Sequence, residues 1–159
     1  MPKKPNRIGI IGVGNPLMGD DGVGIAVVEL LKNESLPENA SIINIGTGGP
    51  SLLHALAKLD AAIIVDAVDF GGSTGETRCF SPEEIESIKC VSGLSTHESD
   101  LLKIIKLSKE LDECPETVMI FAIQPADMAP STGLSISLQR VLSKFVKDVR
   151  EITEMLGTK

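Results

Sequence analysis

Tryptophan and tyrosine are absent from this 159-residue chain, and four phenylalanines are its only aromatics. Bases therefore have almost no ring on which to stack. Positive charge is scarce as well: 15 lysines and arginines face 22 acids, for a net charge of −7, so no basic stripe is available for a phosphate backbone. Nucleic acid is excluded as an expected partner. No apolar run approaches the length needed to span a bilayer, and the basic, polar Met1 to Arg7 leads directly into a short strand pattern with no signal-like apolar region. The expectation is a cytoplasmic protein without a membrane partner. Cys79, Cys90 and Cys114 are odd in number and form no C-x-x-C pair, which argues against a disulfide framework or a zinc knuckle. Low-complexity tracts and repeats are missing too, and 42% hydrophobic residues suffice for a core, so residues 1–159 are read as one domain.

What is present is an alternation of strand and helix patterns. The β-branched run Arg7 to Gly14 reads as a strand buried on both faces. Beyond Asp20 and Asp21, apolar residues from Val23 to Leu31 recur with a helical period until Asn33. Ser41 to Gly46 repeats the strand signal, and Pro50 with Ser51 opens a second helix through Leu52, Leu53, Leu56 and Leu59. Ala61 to Val68 is a third strand, and Glu76 to Phe80 is a short polar one suited to a sheet edge. Ser99 is expected to cap a helix running to Leu111, Thr117 to Ile123 is another buried strand, and a last amphipathic helix carries Leu138, Phe145, Val149 and Leu156 on one stripe. This order predicts a three-layer α/β/α sandwich around a central, mostly parallel twisted sheet of about five strands. Ligands of such sheets gather beyond the carboxyl ends of the strands, in the loops that here hold Asp21, Asp66 and His97.

Gly12-Val13-Gly14 invites a dinucleotide-binding reading, but Leu17 stands where the third glycine belongs, Pro16 removes an amide donor, and the second strand ends without an acid. No Gly-Lys-Ser/Thr follows for a P-loop. Asp20 and Asp21 could both serve a helix start; one cap leaves the other carboxylate for a second role. Asp66 follows five apolar residues at the end of a central strand, where a carboxylate is costly to bury unless paired, protonated or metal-bound. It could equally sit exposed at the strand tip or bond loop amides, and Asp69 reads as a solvated turn residue, with a substitute ligand as the alternative. Of the two histidines, His54 falls within a helix pattern, whereas His97 sits among Ser95, Thr96, Glu98 and Ser99 in a polar stretch. Two carboxylates and an imidazole at one end of a sheet would make a three-ligand site with open positions, suited to nickel, zinc or manganese without selecting among them. The H-E-x-x-H helix of many zinc proteases is missing, and the chain is read as lacking a G-x-S-x-G nucleophile elbow.

The segments Gly12-Val13-Gly14-Asn15-Pro16-Leu17-Met18-Gly19-Asp20-Asp21-Gly22-Val23-Gly24, Ile45-Gly46-Thr47-Gly48-Gly49, Ile64-Val65-Asp66-Ala67-Val68, Ser95-Thr96-His97 and Ile123-Gln124-Pro125 resemble, in order, five motifs of the hydrogenase maturation peptidases. The resemblance covers nearly the whole chain. It implies an endopeptidase, aspartyl-type or metal-assisted, that removes the C-terminal extension of a nickel-iron hydrogenase large-subunit precursor after nickel insertion. By the same resemblance Asp21, Asp66 and His97 are the catalytic and metal-contacting residues, and Asp20 is left as the helix cap. The nickel would arrive with the nickel-loaded precursor, and other divalent ions could substitute. A monomer or weak oligomer is expected. The rival readings are a non-proteolytic, nickel-dependent hydrogenase assembly chaperone and a nucleotide-binding α/β module.

Overall fold

Five strands form one sheet in the order β2-β1-β3-β5-β4: β1 (Ile8–Val13), β2 (Ala40–Gly46), β3 (Ala61–Ala67), β4 (Thr77–Phe80) and β5 (Thr117–Ile123). The computed structural model describes residues 4–92 and 96–158, with the side chains of 88–99 and 158 outside the described set. β1 pairs in parallel with β2 and β3, and β3 with β5, while β4 runs antiparallel along β5. The mostly parallel sheet of five strands and the polar edge strand thus match expectation.

The chain leaves β1 through α1 (Val23–Leu31) toward β2, then returns through α2 (Gly49–Leu56) past β1 to β3. Right-handed crossovers in opposite directions must place their helices on opposite faces. Accordingly α1 and the long α5 (Ile136–Thr158) cover one face, packing Val27, Leu31, Leu138, Phe145 and Val149 on Ile10 and Ile63. The other face carries α2, α3 (Pro82–Ser92) and α4 (Thr96–Glu110), with Leu56, Ile85 and Ile105 against Ile11 and Ile64. β1 and β3, lying inside the sheet, are buried at every residue. Among the described residues no helix is long and apolar enough to cross a membrane.

Three details differ from the sequence reading. Helix α3 was not anticipated, because its sequence offers few apolar residues; its signal is the capping box, in which the Ser81 amide donates to Glu84 Oε1 at 3.0 Å and the Glu84 amide to Ser81 Oγ at 3.2 Å. Pro82 occupies the first helical position, where a missing amide costs nothing. Helix α4 starts at Thr96, so Ser99 lies inside it rather than at its cap. Several residues in this stretch can cap a helix, and spacing does not tell which one does. Helix α2 ends at Leu56, although Leu59 still packs on the core.

Gly24, in the first turn of α1, rests directly on two strand ends. A Cβ there would strike the carbonyl oxygen of Val65 and come within 2.7 Å of that of Val13. Backbone carbonyls of central strands cannot step aside. Gly24→Ala should therefore destabilise the fold by about 1–3 kcal/mol, the range for overpacking a tight interior. Urea unfolding checks this; an unchanged midpoint would show that α1 shifts freely.

Candidate functional site

β1 and β3 are the strands between which the connections diverge, so a crevice opens outside their carboxyl ends. The short 3-10 turn Gly19–Gly22 packs against β3 there, drawn in by the close approach of Gly24. Asp21, partly buried, sits on this turn. Its Oδ2 accepts the Asn15 amide at 2.8 Å, and Gly14, with φ of +135°, passes beneath its backbone at a spot with no room for a side chain. One carboxylate oxygen is thereby oriented by the β1 loop, while a carboxylate retains further acceptor sites.

Asp66 is fully buried on β3. Ile64 and Val68 belong to the core cluster beneath α2 and α4, so strand alternation directs Asp66 to that same layer. Of the alternatives left open for this acid, exposure at the strand tip is thus not met. α4 begins there: Asp100 and Leu101 line a narrow crevice with Val13, Ile45 and Gly48 at the carboxyl ends of β1 and β2. His97 lies one turn earlier, its backbone in the first turn of α4 and not in a loop directly after the fourth strand; its side chain falls outside the described residues. The fold therefore gathers the backbones of all three predicted residues at one end of the sheet. Among the described residues no group of three or more His, Cys, Asp or Glu is placed to hold a metal.

Asp20 corrects the sequence reading. Neither the 3-10 turn nor α1 receives a side-chain cap. Instead Asp20, fully buried, reaches across to the loop between β5 and α5: Oδ2 accepts the amides of Ala126 at 2.8 Å and Asp127 at 3.2 Å, and Oδ1 that of Ser135 at 2.7 Å. A partner 106 residues distant cannot be read from local spacing. Burial alone would raise the Asp20 pKa, but the backbone amides of Ser135, Ala126 and Asp127 outweigh it and hold the carboxyl below its ordinary 3.8.

Gln124, missed as a structural residue, does the equivalent work for the loop after β3. Its Oε1 accepts the amides of Phe70 and Gly72, and its Nε2 donates to Asp69 Oδ1 at 3.0 Å. Asp69 also accepts the Gly71 amide at 3.1 Å, which makes it the turn residue expected. The letters G-x-S-x-G do occur, contrary to the sequence reading, at Gly71-Gly72-Ser73-Thr74-Gly75. They lie between β3 and β4 and lead into a strand, so the strand-to-helix turn that makes a nucleophile elbow is not formed. His54 is exposed on α2, as expected. Cys79 and Cys114 are free thiols.

A family model described as hydrogenase maturation protease matches residues 25–152. The chain belongs to the hydrogenase maturation protease family. Asp66 and His97 fall within the matched span, and Asp21 lies just before it. The chain is 31% identical over 124 residues to the hydrogenase expression/formation protein HupD of Bradyrhizobium diazoefficiens, covering 77% of this chain and 65% of that protein. It is 28% identical over 145 residues to the hydrogenase 2 maturation protease of Escherichia coli, covering 90% and 88%. It thus spans less than two thirds of the length of several curated relatives. Its fold is similar to that of the hydrogenase maturating endopeptidase HybD from E. coli, with a TM-score of 0.85 at 26% identity over 95% of this chain and 94% of that one. The maturation protease HycI from Thermococcus kodakarensis gives 0.76 at 27% identity over 94% of each.

Because its folded pKa is depressed, Asp20 stabilises the fold fully above its unfolded pKa, and the contribution fades as pH falls through the lower folded value. Asp20→Asn should unfold at lower urea than the parent at neutral pH. The gap should hold down to about pH 5 and shrink below the ordinary carboxyl range. Urea midpoints between pH 3 and 7 measure it; a gap that widens with acid would reverse the assigned sign.

Proposed function

We propose that the chain is an endopeptidase that removes the C-terminal extension of a nickel-loaded hydrogenase large-subunit precursor. Asp21, Asp66 and His97 contact the metal of the substrate. The observation that carries this reading is Asp66: a carboxylate fully buried near the carboxyl end of a central strand, the strand against which the Asp21 turn packs. An ionised carboxylate in such a place is favoured by a nearby cation, and two carboxylates with an imidazole suit a borderline divalent ion such as nickel. The family supplies the substrate class, since its members are named for hydrogenase maturation.

In this mechanism the three side chains hold the precursor through its nickel and set the scissile peptide beside them, so that recognition and positioning are one event. The nickel belongs to the substrate and polarises the carbonyl to be attacked. Asp21, the less buried of the two acids, receives the proton of the attacking water, with Asn15 holding its other edge. Asp66 remains a fixed ligand. The cytoplasm is the compartment we propose for this reaction.

Incubating the protein with nickel-loaded and nickel-free precursor tests the reading: a shortened product is expected from the loaded form alone. Equal cleavage of both would remove the metal from recognition, and a precursor bound but released uncut would leave an assembly chaperone instead. His97→Ala should lower the cleavage rate on the order of 100-fold or more, as loss of a charge-stabilising group does elsewhere, with the unfolding midpoint retained. Asp66→Asn should weaken the complex with loaded precursor. Unaltered affinity would take Asp66 out of the metal contact.

A further inference from the structure

A groove of about 1000 Å³ runs between β2, through Ser41, Ile43 and Ile45, and α2, through Pro50 and His54, and on to Lys58 just past the end of that helix. β2 is an edge strand, paired on one side with β1. Edge strands present a row of backbone amides and carbonyls, and proteins ordinarily blunt them with charge, proline or brevity. The opposite edge obeys that rule: β4 has four residues and includes Arg78. β2 does not, since its seven residues ASIINIG carry neither charge nor proline. Ile43 and Ile45 stay partly uncovered above it. Such an edge is built to accept a further strand.

We infer that this groove receives the C-terminal extension of the precursor as an added strand, an inference that rests on the proposed endopeptidase function. Two observations select that occupant. The first is position. The Gly14 amide donates to Gly46 O at 2.9 Å, so the carboxyl end of β2 abuts the loop on which Asp21 sits. A peptide lying on β2 therefore begins at the candidate site. Beyond the cut bond the extension runs toward its own C-terminus, away from the site, and so lies antiparallel to β2. The second is charge. α2 returns to the amino end of the sheet, where the Asp60 amide donates to Arg7 O, and this brings Lys58 and Arg7 to the far end of the groove. Among the described lining residues Glu38 is the one acid, just before β2 and so at the same end as the two cations, in a chain whose net charge is −7. Arg7 is shared with Asp60 at 3.9 Å, a loose and exposed pair. A terminal carboxylate arriving after about seven extended residues, roughly 23 Å at ~3.3 Å each, meets these two cations. Alternate side chains of the extension settle on Ile43 and Ile45.

The probe is a synthetic peptide of the extension sequence, made with a free or an amidated C-terminus and added to the full chain. The free acid should slow hydrogen exchange of the amides of residues 40–46. Amidation, or the exposed-site variants Lys58→Glu and Arg7→Gln, should weaken binding at least roughly threefold, as loss of charge contacts at an interface rim does. With loaded precursor the same variants should raise KM by a similar factor at unchanged kcat, circular dichroism confirming their fold. Exchange unaltered in 40–46, equal binding of the amidated peptide, or wild-type KM in both variants would overturn the groove assignment. Protection of 40–46 that grows with protein concentration and not with peptide would overturn it in favour of pairing between two copies of this chain. The two readings separate cleanly. Peptide protection without precursor cleavage defeats the endopeptidase and supports the groove, whereas normal cleavage by both variants defeats the groove alone.

Discussion

The first turn of α1 lies against the carbonyl ends of β1 and β3 closely enough that Gly24 leaves no space for a methyl group. Everything at the carboxyl end of the sheet is referred to that contact. It brings the Gly19–Gly22 turn onto β3, so that Asp21 stands over the crevice and Asp20 turns inward. If α1 were raised to admit a side chain, both acids would move with it. A few tenths of an ångström matter here, because side chains that act together tolerate little error in relative position.

Adjacent in sequence, Asp20 and Asp21 have different work. Asp20 is sealed from solvent and given to three backbone amides of the loop before α5, an arrangement that keeps it charged and tethers elements more than a hundred residues apart. Asp21 has one oxygen engaged by Asn15 and the partial exposure a substrate contact requires. Gln124 tethers the loop after β3 in a similar way. The two tethers bracket the crevice. Rigid surroundings of this kind are what allow side chains on loops to hold a fixed geometry without a helix or strand beneath each one.

The two edges of the sheet are also unlike. β4 is short and antiparallel, while β2 is longer, uncharged and flanked by a groove that extends along it to Ile45. Central strands β1 and β3 supply the stability through complete burial, which leaves the β2 side available for contacts with other molecules. A sheet buried in its middle and open at one margin can keep the carboxyl ends of its central strands rigid while leaving an edge free.

Much of this was legible in the sequence because the responsible forces are local. Strand and helix periods, the glycines of the first loop and the isolated acid in Ala61 to Val68 each report on their own neighbourhood, and together they specify an α/β/α sandwich with an acid at a central strand tip. The capping box of α3 was legible too and was overlooked, since so little of that helix is apolar. Long-range pairing was not legible. That Asp20 serves the α5 loop, that Gln124 serves the β3 loop, that Asp66 is sealed from solvent and that β2 borders a groove all depend on which segments the crossovers bring together. Hydrogen bonds between residues so far apart leave no period or spacing in the chain. Only the closed fold decides them.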